Sequence, residues 1–140
     1  MKEIRETTKV EKMNFSFKKE EKLCSKKIID QLFADGDSFL VFPLKFVYQK
    51  TLLSEKSPVQ SAFTVGKKNF KKAVQRNRIK RLMRESYRLN KHMLYSILDK
   101  EQLAIFVIFI GKEIPDYTLV EKAMKKGITK LIDKISSEIS

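Results

Sequence analysis

Cysteine, histidine, glycine, proline and tryptophan are all scarce in this sequence. Its 140 residues include one Cys, one His, four Gly and three Pro, and no Trp. The single cysteine, Cys24, excludes an intramolecular disulfide and a zinc site built from several cysteines. The low glycine and proline counts argue against a disordered or low-complexity chain. Together with 42% hydrophobic residues, these absences predict one globular domain suited to a reducing compartment.

Long apolar segments are missing as well. The longest run, residues 103–110, has eight apolar residues, whereas a helix needs about 20 to cross a bilayer. The first six residues mix charges and lack the apolar core of a secretion signal. We therefore expect a soluble, cytoplasmic protein with no membrane partner.

Groups that could carry out catalysis are few. His92, the one histidine, stands beside Lys91 and is interpreted as a helix-end residue. The acidic residues are scattered, without the clustered carboxylates of a two-metal nuclease. Gly66-Lys67-Lys68 lacks the upstream glycine of a P-loop. The sequence therefore predicts no catalytic residue and no metal site in the protein itself.

Positive charge is what the chain has in excess, and one segment holds most of it. Residues 67–91, here called the basic segment, carry eleven Lys or Arg and a single acid, Glu85. This is net +10 of the +13 of the whole chain, so the other 115 residues contribute only +3. Such a concentration predicts a surface for a polyanion, and nucleic acid is favoured over an anionic membrane.

Hydrophobic periodicity divides the chain into helices and strands. Residues 1–16 show no clear period, which predicts a mobile extension before a single domain over residues 17–140. A short helix follows, with Ser25 as its N-cap and Gly36 as its stop. The remaining pattern predicts strands at 39–50, 59–65 and 103–110, the last one central and buried on both faces, and a final helix at 117–135. A small sheet covered by helices is the natural packing.

The basic segment is expected to form a helix with one apolar and one cationic face. At 100° per residue, the apolar stripe comprises Ile79, Leu82, Met83, Ser86, Leu89 and Met93. The cationic face comprises Arg76, Asn77, Lys80, Arg81, Arg84, Arg88 and Lys91. We expect Glu85 to pair with Arg81 and Asn69 to cap the helix N-terminus. A purely solvated helix face is the alternative, and eleven cations to one acid argue against it.

A series of short motifs runs through the same segment without gaps. A strand ends in Gly66-Lys67-Lys68, and Arg-Asn-Arg at 76–78, Lys-Arg at 80–81 and Arg-Glu at 84–85 follow. This series closely resembles the signature of the bacterial ribonuclease P protein component, and the resemblance extends over about residues 17–135. Two departures are Ile29, where many relatives carry an aromatic residue, and the extension at residues 1–16.

The resemblance implies a fold and a function. The fold would be an α/β (α+β) sandwich around a four-stranded sheet, like domain 2 of ribosomal protein S5, with a left-handed strand–helix–strand crossover. The function would be that of the protein subunit of ribonuclease P, which assists a catalytic RNA in removing the 5′ leader of precursor tRNA. The chemistry would belong to that RNA subunit and its bound Mg²⁺, and the protein would bind no cofactor of its own.

The resemblance also assigns two sets of residues. The ten predicted contacts to the catalytic RNA are Lys67, Lys68, Lys71, Arg76, Asn77, Arg78, Lys80, Arg81, Arg84 and Arg88. The leader would lie in a separate cleft between the first helix and the exposed sheet face, with Phe17, Phe33, Phe46 and Tyr48. Stacking of bases on aromatic rings tolerates any leader sequence. Core packing is the alternative role for these aromatic residues.

Two further functions remain open at this point. One is a ribosomal or assembly protein that binds rRNA structurally, and the other is a ribonuclease that needs no RNA partner. The first would bind rRNA without stimulating leader removal, and the second would cleave RNA alone.

Overall fold

Four strands and four helices follow the 3₁₀ turn Lys19–Glu21 in the computed structural model, which describes residues 17–53, 56–98 and 101–139. In chain order they are α1 (Lys26–Asp35), β1 (Asp37–Val41), β2 (Leu44–Lys50), β3 (Val59–Val65), α2 (Ala73–Asn90), α3 (His92–Tyr95), β4 (Leu103–Phe109) and α4 (Tyr117–Ile139). The predicted extension, residues 1–16, lies outside the described residues.

The strands form one mixed sheet in the order β1-β2-β4-β3. β1 pairs with β2, and β2 with β4, in antiparallel fashion, whereas β3 and β4 run parallel. The prediction that residues 103–110 form a central strand is confirmed, because β4 lies between β2 and β3. Residues 39–50, predicted as one strand, contain the end of β1 and all of β2, and the chain turns between them at Phe42–Pro43. The strands β3 and β4 are parallel and are connected through α2. The left-handed crossover of this β3–α2–β4 unit stays a prediction.

The two faces of the sheet are covered unequally. α2 and α4 pack over one face and enclose the larger hydrophobic cluster, which includes Phe46, Met83 and Ile128. α1 covers part of the other face, where Leu32 and Val47 belong to a smaller cluster. Successive residues of a strand point to opposite faces, so β2 contributes side chains to both clusters.

Both predicted ends of α1 are confirmed. The Ser25 side chain accepts a hydrogen bond from the Ile28 backbone N–H at 3.3 Å and so caps the N-terminus. At the other end, the Gly36 N–H donates to the Leu32 carbonyl at 2.8 Å. These caps fix the two ends of α1, and β1 begins directly after the second one.

The segment before α1 covers the outer edge of β3. The Leu23 N–H donates to the Ser61 carbonyl at 2.9 Å, and Lys22 forms a parallel bridge with Ser61. The Gln60 side-chain amide donates to the Glu20 carbonyl at 3.0 Å. An uncovered strand edge would expose unpaired backbone groups, and this segment satisfies part of that edge.

Candidate nucleic-acid interface

The turn that leads into α2 is held by a side chain from the helix itself. Arg76 Nη1 donates to the carbonyl oxygens of Phe70 and Lys71, at 2.8 Å each. The Phe70 ring is buried and lies 5.9 Å from that of Phe109. The turn is therefore anchored to the core at Phe70, while its lysines remain at the surface.

The expected N-cap is wrong. α2 begins at Ala73, and its N-cap residue, Lys72, makes no side-chain capping bond. Asn69 instead directs its amide toward the Gly111 carbonyl, at 3.5 Å. Three residues separate Asn69 from the helix start, which places it too far away to reach the first free N–H groups.

The buried face of α2 differs in part from the predicted apolar stripe. Ile79, Met83 and Ser86 are buried as expected. Tyr87, which the helical projection places among the cations, is 1% exposed, whereas Met93 is 36% exposed. The cause is tertiary: Tyr87 packs against the rings of Phe17 and Phe63, which rotates the buried face toward it.

The ten predicted RNA contacts all lie on α2 or in the turn before it, and none of them is fully buried. Three of them, Arg76, Lys80 and Arg88, are half-buried. The other seven are exposed: Lys67, Lys68, Lys71, Asn77, Arg78, Arg81 and Arg84. Arg76 therefore has two roles. It is one of the cations, and its bonds to the Phe70 and Lys71 carbonyls hold the turn in place.

Glu85 pairs with Arg88, so the expected pairing with Arg81 is wrong. Arg88 Nε and Nη2 lie 3.2 and 2.5 Å from the two carboxylate oxygens of Glu85. A two-pronged contact suits the guanidinium, and an acid N-terminal to its cation is the favoured order on a helix. The hydrogen bonds from Arg88 lower the pKa of Glu85, and the same contact raises the pKa of Arg88. Arg81 is thereby left pointing into solvent.

Lys91, which was placed on the cationic face, does not belong to the surface. It is 3% exposed and forms an ion pair with Glu21, itself 6% exposed. Its ammonium lies 5.2 Å from the centre of the Tyr95 ring and 5.8 Å from that of Phe17. The Tyr95 hydroxyl donates to the same carboxylate at 2.7 Å.

The charge state of Glu21 follows from these contacts. Burial acts to raise the pKa of this carboxyl, but hydrogen bonds from Lys91, the Lys18 N–H and Tyr95 outweigh it and hold the pKa below its ordinary value. Burial also raises the pKa of the Tyr87 and Tyr95 hydroxyls. The ionised Glu21 and Lys91 therefore fasten the N-terminal segment to the end of α2.

The fastened segment adds a cation, Lys22, to the interface, and sequence reasoning missed it. Lys22 and Phe17 line a groove of about 300 Å³ together with the arginines Arg81, Arg84 and Arg88. Lys22 also lines a second hollow of about 570 Å³ with Lys18 and Lys19. Of these lysines, Lys22 lies beside α2. It escaped notice because the residues before α1 show no periodicity, and only the contacts of its segment with β3 and Lys91 bring it there.

Four aromatic residues were predicted to line the leader cleft, and the structure separates them. Phe33 on α1 is 52% exposed and meets Phe106 of the sheet edge-on, at 4.9 Å. Phe46 and Tyr48 are 1% and 5% exposed in the cluster on the opposite face, so their assignment to the cleft is wrong. Phe17 is half-buried beside the arginines of α2, not beside α1.

Neither a metal site nor a membrane span is found in the described residues. Among residues 17–53, 56–98 and 101–139, no three His, Cys, Asp or Glu side chains lie close enough to hold a metal ion. None of the helices in this part of the chain combines the length and the apolar character that a membrane span requires.

Comparison with known proteins decides the family. The family model Ribonuclease P matches residues 17–135, which include the basic segment and every strand of the sheet. The chain belongs to the ribonuclease P protein family. The resemblance drawn from the motifs between residues 66 and 85 is thereby confirmed. The family works in the processing of tRNA 5′ ends, as the protein component of an enzyme that contains RNA.

Relatives and solved structures agree with this family. The ribonuclease P protein component of Porphyromonas gingivalis is 39% identical over 127 residues, which cover 88% of this chain and 91% of the relative. That of Chlorobium phaeobacteroides is 39% identical over 79% of this chain and 84% of the relative. The Thermotoga maritima structure covers 79% of this chain and 96% of its own, with a TM-score of 0.63 at 23% identity. The Staphylococcus aureus structure gives 0.61 at 18% identity, over 80% of this chain and 94% of its own. These two likenesses show a shared fold, and the predicted fold class is confirmed.

Proposed function

We propose that this protein binds the catalytic RNA subunit of ribonuclease P through α2 and its preceding turn. The observation that carries the proposal is that none of the ten predicted contacts on α2 and its preceding turn is buried, and that Lys22 of the N-terminal segment lines a groove with Arg81, Arg84 and Arg88. Cations on this surface would neutralise phosphates where RNA segments approach one another. Catalysis itself would belong to the RNA subunit, whose Mg²⁺ ions would activate the attacking water.

The electrostatics of α2 support a polyanionic partner. Arg76, Lys80, Arg84 and Arg88 follow one another at intervals of four residues, and like charges at this spacing destabilise an isolated helix by about 0.2–0.5 kcal/mol per pair. Only Glu85 offsets them within the basic segment, and it pairs with Arg88 alone among the described residues. Bound phosphates would remove this repulsion and release counterions, which makes binding strongly salt-dependent.

We further propose that the 5′ leader of precursor tRNA lies between α1 and the sheet face that α2 and α4 leave open. Phe33 offers a ring for base stacking. Its edge contact with Phe106 holds the ring in position. A side-chain bond from Gln31 to Gln49, at 3.3 Å, forms a polar border between α1 and β2. This cleft excludes Phe46 and Tyr48, so it has fewer aromatic residues than predicted.

A reconstitution assay tests the proposal against its rivals. The protein is mixed with precursor tRNA at limiting Mg²⁺, with and without a bacterial catalytic RNA, and leader removal is followed over time. We expect no cleavage by the protein alone and faster cleavage when both subunits are present. Binding to rRNA without any stimulation would favour the structural rRNA-binding alternative, and cleavage without added RNA would favour an independent ribonuclease.

A further inference from the structure

A groove of about 800 Å³ lies between β1 and α4, away from α2 and from the α1 cleft. One wall is formed by Leu40, Val41 and Phe42, at the end of β1 and in the turn that follows. β1 is the last strand of the sheet, and in the described part of the chain it pairs with β2 alone. The groove is therefore open at its outer side along the edge of the sheet.

The other wall of the groove is a row of lysines on α4. Lys122, Lys126 and Lys130 recur every four residues, which places them on one side of the helix at steps of about 6 Å. Lys125 also lines the groove and has Glu121 at 3.9 Å. Asp133 is the one acid among the lining residues. The ion pairs found among the described residues include none of the three lysines in the row.

The groove also holds an exposed aromatic ring. Phe42 is 67% exposed and Leu119, across from it on α4, is 45% exposed. A single exposed phenyl ring is ordinary on a protein surface. A ring that shares a groove with a row of cations has the composition of sites that bind single-stranded nucleic acid, where cations follow the backbone and rings stack on bases.

Its position separates this groove from the surfaces proposed above. α2 packs on β3, at one edge of the sheet, whereas α4 packs on β1 and β2, at the other edge. A molecule in the groove would therefore leave the ten predicted contacts of α2 accessible. The protein would then present RNA-binding surfaces at two edges.

We propose that the β1–α4 groove is a further binding site for single-stranded RNA. Phe42 stacks on a base, and Lys122, Lys126 and Lys130 contact consecutive phosphates. This inference depends on the proposed function in one respect, namely that RNA is the polyanion that this protein binds. An acidic peptide paired with the edge of β1 is the rival occupant. It would need a row of apolar pockets for alternate side chains, whereas the groove places four lysines beside three exposed large hydrophobic side chains, Leu40, Phe42 and Leu119.

Absence of tryptophan from the chain allows a site-specific test. In the full-length Phe42→Trp variant, the indole is the sole tryptophan, and stacking on a base should quench its fluorescence. We expect a ten-nucleotide oligouridylate to quench it in a saturable manner. Adding Lys122→Gln, Lys126→Gln and Lys130→Gln should weaken this binding roughly 10- to 100-fold and reduce the log–log salt slope by about 2, or about 0.7 per lost contact.

A matched variant removes the same charge from the other surface. Lys67→Gln, Lys68→Gln and Lys71→Gln in the Phe42→Trp background should leave the tryptophan titration unchanged, although binding of a catalytic RNA weakens. This difference separates failure of the groove from failure of the proposed function. All lysines replaced are exposed, and equal thermal melting of the variants checks that they fold. Should the α4 triple variant unfold, Lys126→Gln alone must still lower the slope by about 0.7.

Three outcomes would overturn the proposal. The first is unchanged tryptophan emission when the oligouridylate is saturating. The second is an equal loss of affinity in the two triple variants, which indicates a general charge effect. The third is tighter binding of a heptapeptide of alternating Glu and Leu than of the oligouridylate, which assigns the groove to a protein partner.

Discussion

At the scale of single residues, the ion pair between Glu21 and Lys91 joins parts of the chain that are 70 residues apart. Both side chains are buried, and the Tyr95 hydroxyl adds a third polar group. Removing one partner of such a pair leaves an uncompensated buried charge, which costs far more than an exposed pair contributes. The pair therefore positions the N-terminal segment, and with it Lys22, beside α2.

Glu21→Ala should lower the free energy of unfolding by about 3–5 kcal/mol, because Lys91 loses its buried counter-charge. The measurement is urea denaturation followed by circular dichroism. Glu20→Ala is the matched control, because the Glu20 side chain is next in the chain and exposed. This substitution should change the free energy of unfolding by less than about 0.5 kcal/mol. Equal effects of the two substitutions would contradict the role given to the pair.

The lowered pKa of Glu21 also predicts a dependence on pH. Its stabilisation is fully present above the unfolded-state value near 4.5 and is lost as the pH falls through the lower folded-state pKa. Between about pH 5 and pH 3, the wild-type protein should therefore lose more stability than Glu21→Gln, which has no carboxyl to protonate. Denaturation curves at a series of pH values measure this difference, and parallel curves for the two proteins would refute it.

At the scale of elements, α2 carries the exposed cations and α4 forms the packing that supports them. The exposed positions of α2 can be changed without disturbing the core, because Arg81 and Arg84 point into solvent. Arg76 differs, since it also bonds to the carbonyls of Phe70 and Lys71. A change at Arg76 would loosen the turn as well as remove a charge, so it tests RNA binding less cleanly.

The double variant Arg81→Gln, Arg84→Gln should weaken binding to the catalytic RNA without changing the melting temperature. Each lost phosphate contact should reduce the log–log salt slope by roughly 0.7–0.9. Filter binding at several salt concentrations gives the slope. Lys56→Gln with Lys112→Gln serves as the control, because these exposed lysines lie outside α2. If the folded double variant shows unchanged affinity and an unchanged salt slope, the proposal that α2 contacts the catalytic RNA is wrong.

Contact between α4 and the sheet depends on the absence of a side chain at Gly127. A Cβ atom at this position would collide with the Phe46 ring, which is 1% exposed and cannot move aside freely. Glycine in a helix normally costs about 1 kcal/mol relative to alanine. Here Gly127→Ala should instead destabilise the protein by about 1–3 kcal/mol through overpacking. Thermal denaturation measures this loss of stability, and Thr129→Ala on the exposed side of α4 is the control. A Gly127→Ala variant more stable than the wild type would be inconsistent with this packing.

At the scale of the whole molecule, the sheet separates an exposed aromatic residue from the buried ones. Phe33 lies on the open side and Phe46 in the core beneath α4. Phe33→Ala should reduce the affinity of the holoenzyme for precursor tRNA that carries a leader, by about 1–3 kcal/mol if a base stacks there. It should leave affinity for leaderless tRNA and the melting temperature nearly unchanged. Phe46→Ala should cost about 3–5 kcal/mol of stability. Equal affinity losses with and without the leader would refute the cleft.

Much of the fold could be predicted because it depends on local chemistry. Ser25 and Gly36 delimit α1 through bonds to residues three or four positions away. The uniform apolar run of β4 required burial on both sides, whatever covered it. The two faces of α2 could be foreseen in outline for the same reason, since helical spacing alone places Ile79 and Met83 opposite Arg81.

The predictions that were wrong concern residues whose contact partners are distant in the chain. Alternation along β2 shows that Phe46 and Val47 face opposite ways, but it does not tell which face the helices cover. Lys91 looks like one more surface cation until Glu21 is brought to it. Tyr87 is buried because Phe17 and Phe63 meet it there.

The sequence by itself determined the family, the approximate positions of most helices and strands, and the concentration of charge on one helix. These follow from residue type and spacing, which act over a few residues. Only the tertiary structure decided which cations are accessible, which aromatic rings are buried, and that α4 carries a row of lysines beside Phe42. Burial and pairing depend on which surfaces meet in three dimensions, and a buried charge or ring is created by a neighbour that local spacing does not specify.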